Sequence, residues 1–208
     1  ARAGSGPIGD EGQPSTRGVR PGCAIVGRTG GEPAHAAAVG RGEMFSGDVV
    51  RPGQPLVLVT DEGRETEAKV RLARIGFDRV RGAVVDVERH LAERPDLADR
   101  LPRLPATDLA GWRAEEPGLQ VLDVRNPGEQ EAGIVPGAVR IPLARLLDRH
   151  GELDPSRPTV VYCASGYRSA IGASLLKSLG FERVADLQGG YAAWASAGLP
   201  VEQVEVSA

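Results

Sequence analysis

The chain predicts an α/β fold: two tandem domains, each a parallel sheet covered by helices on both faces. Short runs of strand-forming residues alternate with stretches of helical periodicity. A polar, proline-rich stretch interrupts that alternation, which then begins again. The length, 208 residues, suits two domains of about 100 residues each as well as one large one.

Residues 1–20, ARAGSGPIGDEGQPSTRGVR, are rich in Gly, Pro and Ser without apolar periodicity and read as a flexible N-terminal tail. CAIV reads as a short strand and PLVLVT as a buried one. ETEAKVRLARIGF reads as a helix, with Ala68, Leu72 and Ile75 on one face and Gly76 as its stop. ERPDLADRLPRLPATD holds three prolines and no long apolar run, which puts a linker at 96–105 between domains at 21–95 and 106–208. In the second domain LQVLDV is a strand. IPLARLLDRHG is a helix with Pro142 near its first turn and Gly151 past its end. TVVY is a buried strand, followed by a helix in which Ile171, Leu175 and Leu179 recur at every fourth residue and Gly180 is the stop. GGYAAWASAGLP supplies a last short helix, anchored to the sheet by Tyr191 and Trp194. Trp112 is expected to cap the edge of the second domain, and EEPG at 115–118 to be a loop.

Composition narrows the function. Hydrophobic residues at 41% and charged residues at 25% mark an ordinary globular protein. A net charge of −3 gives no electrostatic reason to expect nucleic acid or an anionic membrane as partner. No apolar run approaches the roughly 18 residues of a membrane helix, and no signal segment opens the chain. His35, His90 and His150 are scattered without ligand spacing, so neither a metal nor another cofactor is expected. Cys23 and Cys163 are too few for a disulfide framework, which points to a reducing, cytoplasmic setting. Cys23, ahead of an apolar strand, reads as a packing residue. The chain opens with Ala1 rather than Met, as a processed protein or a fragment of a longer one does.

The two halves read as copies. RETEAKVRLARIGFDRV aligns with RSAIGASLLKSLGFERV, setting Arg64 on Arg168, Leu72 on Leu176, Gly76-Phe77 on Gly180-Phe181 and Arg79-Val80 on Arg183-Val184. Farther upstream GRTGGE aligns with VRNPGE, setting Arg28 on Arg125 and Glu32 on Glu129. In this alignment Val59 stands where the second half has Cys163, so the first copy has no nucleophile. Arg64, without a thiol beside it, reads as a solvated helix start.

Cys163 lies between a strand and a helix, in CASGYRS. A sharp turn there leaves several N–H groups without helical partners, and Gly166 lets the chain curl so that they converge. The positive end of the helix dipole faces the same point, and Arg168 adds a permanent cation with a fork of donors. A free thiol ionises near pH 8.5, and moving it below 7 takes roughly 2 kcal/mol, within reach of a helix terminus and an arginine. A cysteine buried for packing needs none of these neighbours.

CASGYRS, preceded by VLDVRNPGEQEAGIVPGAVRIPL and followed by LQGGYAAWASAGLP, resembles a rhodanese (sulfurtransferase) domain over residues 106–202. The resemblance implies two tandem rhodanese-like domains, the first without its cysteine loop. It implies that Cys163 takes a sulfane sulfur from a small donor such as thiosulfate or a persulfide. The sulfur is held as Cys–S–SH and passed to a thiol or another nucleophile. Ala164, Ser165, Gly166, Tyr167, Arg168 and Ser169 are implied as the loop that binds donor and persulfide. Apart from the resemblance, Tyr167 is a candidate for tuning donor choice by its place in that loop. Asp123 and Arg125, in the DVR signature, are implied as supports near the site. The family usually has His where Ile134 stands here, a supporting position. Some members are appended to a metallo-β-lactamase-like persulfide dioxygenase, an arrangement with which the missing Met is compatible.

Two other classes compete. Cysteine phosphatases and arsenate reductases use a related C-x5-R loop, but four residues separate Cys163 from Arg168, and the shorter loop suits one sulfur atom better than a tetrahedral oxyanion. The other is a non-catalytic docking or regulatory module. An intact cysteine loop argues against that for the whole chain. The first copy remains open as scaffold, cover or acceptor site.

Overall fold

The computed structural model describes residues 25–29, 32–38, 46–51, 53–97 and 101–204. The expected tail 1–20 and the packing role expected of Cys23 fall outside these described residues. The chain divides into two compact units at residues 100 and 101, within the stretch expected as linker.

In the first unit the elements are β1 (Ile25–Thr29), β2 (Glu32–Ala38), α1 (Ser46–Val49), β3 (Leu56–Thr60), α2 (Glu65–Ala73), β4 (Val80–Val85) and α3 (Val87–Glu93). The sheet order is β1-β2-β3-β4, with β2, β3 and β4 parallel. β1 corrects the expectation of a wholly parallel sheet, because it runs antiparallel to β2 with Thr29 opposite Glu32. Two residues, Gly30-Gly31, connect the strands, and so short a connection joins antiparallel neighbours only. β2 adds a strand that the sequence does not announce, since EPAHAAA has little intrinsic strand preference. Pairing on both sides outweighs that preference. Ala68 and Leu72 of α2 are buried as expected, but the helix ends at Ala73 and Ile75 lies beyond it, 56% exposed.

In the second unit the elements are β5 (Arg103–Leu104), α4 (Ala106–Glu115), β6 (Gln120–Asp123), α5 (Pro127–Gln130), β7 (Val139–Arg140), α6 (Leu143–Arg149), β8 (Thr159–Tyr162), α7 (Tyr167–Ser178), β9 (Val184–Leu187) and α8 (Gly190–Ser196). Every neighbouring pair in the order β5-β9-β8-β6-β7 is parallel. β6, β8 and β9 are buried at every residue, as strands covered on both faces are. On one face Val121, Val160, Tyr162 and Ala185 pack with Leu109 and Trp112 of α4 and Trp194 of α8. On the other, Gly172 of α7 lies against Leu146 of α6 and Val124 and Val161. Trp112 therefore belongs to the core, 3% exposed, and does not cap an edge. Trp194 anchors α8 as expected, its indole N–H donating to the carbonyl of Pro200 at 2.8 Å. Ile171 and Leu175 are buried, but α7 stops at Ser178, so Leu176 takes the core place expected of Leu179. Among the described residues no helix is long and apolar enough to cross a membrane.

The aligned segments form the same strand–helix–strand module, β3–α2–β4 and β8–α7–β9. Each helix is followed within three residues by a glycine of positive φ, Gly76 at 88° and Gly180 at 95°. Each is followed by a buried Phe whose N–H returns to the last core leucine: Phe77 to Leu72 at 3.0 Å, Phe181 to Leu176 at 3.1 Å. At the strand starts Leu56 donates to the carbonyl of Arg79, and Thr159 to that of Arg183. Counted from Leu56 and Thr159, Thr60 and not Val59 stands where Cys163 does, and Gly63 (φ 82°) where Gly166 does (φ 101°). The second aligned block does not hold. Arg28 and Glu32 sit in a hairpin, whereas Arg125 follows β6 and Glu129 lies on α5.

Candidate active site

Cys163 is the first residue after β8, at the carboxyl edge of the parallel sheet where ligands of open α/β sheets bind. Its side chain is buried, 1% exposed. Gly166, in the left-handed conformation, closes the loop so that its own N–H points at Cys163 Sγ, 3.2 Å away. The twelve-residue helix α7 starts at the next residue and turns its unpaired first N–H groups and positive dipole end toward the loop.

The loop is held from beneath by α8. The N–H groups of Tyr191 and Ala192 donate to the carbonyls of Cys163 at 2.7 Å and Ala164 at 3.1 Å. Those carbonyls are thereby turned away from the space the sulfur faces. Gly190, at φ 60°, makes the approach possible, since a Cβ there would stand 2.3 Å from the Cys163 carbonyl oxygen. The double glycine of LQGG is therefore more than the helix start that the sequence suggests.

Arg168 does not stand free over the loop. Its guanidinium makes a bidentate pair with Glu129, at 2.6 and 2.5 Å. Glu129 is fixed in turn by its place in α5, where Glu129 Oε2 accepts the N–H of Asn126 at 3.1 Å in a capping box. Arg168 holds the Glu129 carboxyl below the usual carboxylate range, and the Asn126 N–H lowers it further. The guanidinium is raised above its ordinary value by Glu129 first and also by the nearby Cys163.

Ser169, in the first turn of α7, places its hydroxyl oxygen 3.6 Å from Cys163 Sγ and donates its proton to Asp186 Oδ1 at 2.5 Å. Asp186 is fully buried on β9, and its other oxygen accepts from Nε of Arg103 on β5 at 3.0 Å. Burial pushes the Asp186 carboxyl up, while Ser169 and Arg103 pull it back. Nη2 of Arg103 lies against the loop, 3.3 Å from where a Gly166 Cβ would be. Ser165 is exposed at the loop's apex, and Ala164 and Tyr167 are half-buried beside it.

Asp123 and Arg125 lie behind this arrangement. Both are buried and joined side by side, Nη2 to Oδ2 at 2.6 Å and Nε to Oδ1 at 3.0 Å. Arg125 also donates to the carbonyls of Glu129 at 3.1 Å and Gly133 at 2.8 Å, and its guanidinium covers the Tyr191 ring at 4.1 Å. The Tyr162 hydroxyl donates to Asp123 at 2.8 Å. Burial and the adjacent Asp123 charge push that phenol well above its ordinary range. The pair thus braces α5 and Tyr191, which hold Arg168's partner and the Cys163 carbonyl. Neither side chain bonds to Sγ. Ile134 is buried and exchanges backbone hydrogen bonds with Glu202 at 2.9 and 3.0 Å, and the Glu202 carboxylate accepts the N–H of Gly137 at 2.7 Å, which fixes the segment.

Beyond the carboxyl ends of β6 and β7, along the same edge of the sheet, a cavity of about 460 Å³ is lined by Pro127, Gln130, Arg140, Pro142, Arg145 and Arg149. Glu152 pairs with Arg149 at 2.6 Å, and among the described residues Arg140 and Arg145 have no carboxylate partner.

Glu129, Gly190, Asp186 and Arg103 join the site without being marked as such by the sequence reading. Asp186 has one local signal, a lone acid inside the apolar run RVADL. Arg103 sits in the stretch read as linker, where nothing marks it.

The family model of the rhodanese-like domain matches residues 106–197. A sulfurtransferase of Allochromatium vinosum is 36% identical over 88 residues, 42% of this chain and 82% of that protein. The thiosulfate sulfurtransferase GlpE of Pseudoalteromonas translucida is 32% identical over 77 residues, 37% of this chain and 73% of that protein. The protein YqhL of Bacillus subtilis is 36% identical over 85 residues, 41% of this chain and 64% of its own length.

Proposed function

The chain belongs to the family of rhodanese-like domains, and from that premise we propose that residues 106–208 form a sulfurtransferase working through a Cys163 persulfide. The observation that carries this reading is the loop itself. The Gly166 N–H faces the sulfur, and the carbonyls of Cys163 and Ala164 are tied away from it. Donors so arranged stabilise an anion at Sγ or one atom beyond it without reorganising.

With thiosulfate, the Cys163 thiolate attacks the outer sulfur. A new S–S bond forms, and sulfite leaves with the electron pair of the old one. With a persulfide donor the leaving group is the donor's thiolate. An acceptor thiolate then attacks the outer sulfur and Cys163 leaves as thiolate, so atoms and charge balance in both halves. The N–H groups at the start of α7 would hold the persulfide anion. Arg168, with Glu129 taking part of its charge, would guide an anionic donor without trapping it. Arg140 and Arg145 add an approach field for anions along the same edge. Ala164, Ser165, Tyr167 and Ser169 shape the loop, and Asp123 and Arg125 hold what holds it.

The first unit reads as a related, non-catalytic domain. Its support is the β3–α2–β4 module with Thr60 at the nucleophile's place, and its β1–β2 hairpin departs from the second unit's plan. Fusion to a persulfide-metabolising enzyme is part of the same proposal.

Intact-mass spectrometry after brief exposure to thiosulfate, and separately to glutathione persulfide, tests the reading. One added sulfur (about 32 Da) is expected on the wild type and not on Cys163→Ser, with the better donor naming the substrate class. No adduct from either donor would overturn it, and turnover of a phosphate ester would then favour the phosphatase class.

A further inference from the structure

Asp186 has a place in the site that sulfur transfer alone does not explain. It is wholly buried between Arg103, its cross-strand neighbour on β5, and Ser169 in the first turn of α7. A serine hydroxyl has one proton to give. Here that proton goes to Asp186 Oδ1, so the oxygen 3.6 Å from Cys163 Sγ turns its lone pairs toward the sulfur. A neutral thiol can donate into a lone pair. A thiolate or persulfide anion is repelled by one.

If Asp186 is protonated, the chain reverses. Its carboxyl O–H donates to Ser169, the Ser169 hydroxyl donates to sulfur, and an anion at Sγ gains a charge-assisted hydrogen bond. We propose that Asp186 acts through Ser169 as a positioning residue that decides whether Cys163 holds its sulfur protonated or as an anion. The S–H proton passes to Ser169 as the Ser169 proton passes to Asp186. One S–H bond breaks, one carboxyl O–H bond forms, and net charge is unchanged. Ionisation of the thiol then needs no outlet to solvent, which suits a sulfur so deeply buried.

The groups bonded to Asp186 are Arg103 from β5 and Ser169 from α7; Cys163, at the end of β8, is reached through Ser169, and Arg168 near the sulfur is paired with Glu129. Arg103 opposes protonation and burial favours it, and the carboxyl stands above the ordinary range of an aspartate. A group so balanced can change state when the charge on the sulfur changes. The role assigned to the device rests on the sulfur-transfer reading, but its first test does not.

That test is the pH dependence of Cys163 alkylation by iodoacetamide, followed by peptide mass, in wild type and Asp186→Asn. An Asn amide donates to Ser169 permanently and frees the hydroxyl proton for sulfur. The midpoint should move down by about one pH unit, so that alkylation below the midpoint is about tenfold faster. The shift should vanish when Ser169→Ala is added. An unchanged or higher midpoint, or the same shift without Ser169, overturns the proposal. The second arm uses wild-type protein, so it decides the matter even if Asp186→Asn does not fold. The infrared difference between persulfide and free protein should show a newly protonated buried carboxyl. A persulfide verified by mass without that band overturns the proposal. A protein that takes no sulfur but passes the alkylation arm would overturn the sulfur-transfer reading and leave the relay standing.

Discussion

The modules β3–α2–β4 and β8–α7–β9 end alike and begin differently. Their helices stop at Gly76 and Gly180, and Phe77 and Phe181 fold back onto Leu72 and Leu176. Their loops both turn on a glycine of positive φ, Gly63 and Gly166. The surroundings of the two loops have little in common. Arg64 pairs with Glu67 on its own helix, both side chains nearly half exposed, whereas Arg168 crosses to Glu129 on α5. After β9 comes α8, which buries Trp194 and ties the Cys163 loop from beneath. After β4 comes α3, which buries no side chain. The glycines and the Phe therefore make a strand–helix–strand module, and the elements packed around the loop make a site of it. One buried detail marks the divide: Thr60, where Cys163 would be, has no hydrogen-bond partner for its hydroxyl among the described residues.

The largest effect should come from moving the thiol itself. In a Cys163→Ser background, Thr60→Cys puts sulfur at the matching place in a loop without the bracing helix or the crossing arginine. Removing one pre-set donor to a developing charge costs about 10²–10³ in rate. The relocated thiol should therefore take sulfur from thiosulfate at least about 10²-fold more slowly than Cys163 does in the wild type. Equal loading, read by peptide mass, would show that the residue and not its surroundings separates the two loops.

Next in size is the feature the modules share. Phe77→Ala and Phe181→Ala should each cost about 3–5 kcal/mol in urea denaturation, the range for emptying a buried aromatic site. The side chains are 6% and 3% exposed, so losses of similar size are expected. A loss under about 1 kcal/mol at Phe77 alone would mean that the first module's helix stop is not anchored as the second's is.

How much of this the sequence displays depends on whether the signal is local. The strand–cysteine–helix junction, the glycine stops and the Arg168 loop are written within a few residues of each other, and the structure has them in place. The edge strands β5 and β7 are two residues long, and their pairing is decided by neighbours far away in the chain. Arg103 and Asp186 are 83 residues apart, so their meeting is invisible before the sheet is ordered. The slip from Thr60 to Val59 has a simple cause. Gly63 and Gly76 stand 13 residues apart, Gly166 and Gly180 14 apart, so an ungapped alignment fixed at the helix ends is one residue out at the loops. The Gly30-Gly31 hairpin signal is present, and the apparent match of GRTGGE to VRNPGE masks it.

The smallest expected effect separates the two arginine–glutamate pairs. Exposed ion pairs add little to stability, so Arg64→Ala should leave both the melting temperature and sulfur loading unchanged. Arg168→Ala should slow loading by about tenfold, one charge-assisted contact of about 1.4 kcal/mol. The Arg168–Glu129 pair also leaves a mark on stability. Arg168 and the Asn126 N–H hold the Glu129 carboxyl below its ordinary value in the folded protein. A lowered folded pKa adds stability above the unfolded value, near pH 4.3, and that stability is lost as the pH falls through the lower folded value. The Glu129 side chain is 35% exposed, so after solvent screening the gain is about 0.5–1 kcal/mol. Wild type should thus melt above Glu129→Gln at pH 7, and the gap should close as the pH drops below about 4. A gap that persists in acid would show that the charge on Glu129 is not what separates the two proteins, because a protonated Glu is as neutral as Gln and Gln can make the cap's hydrogen bond as well.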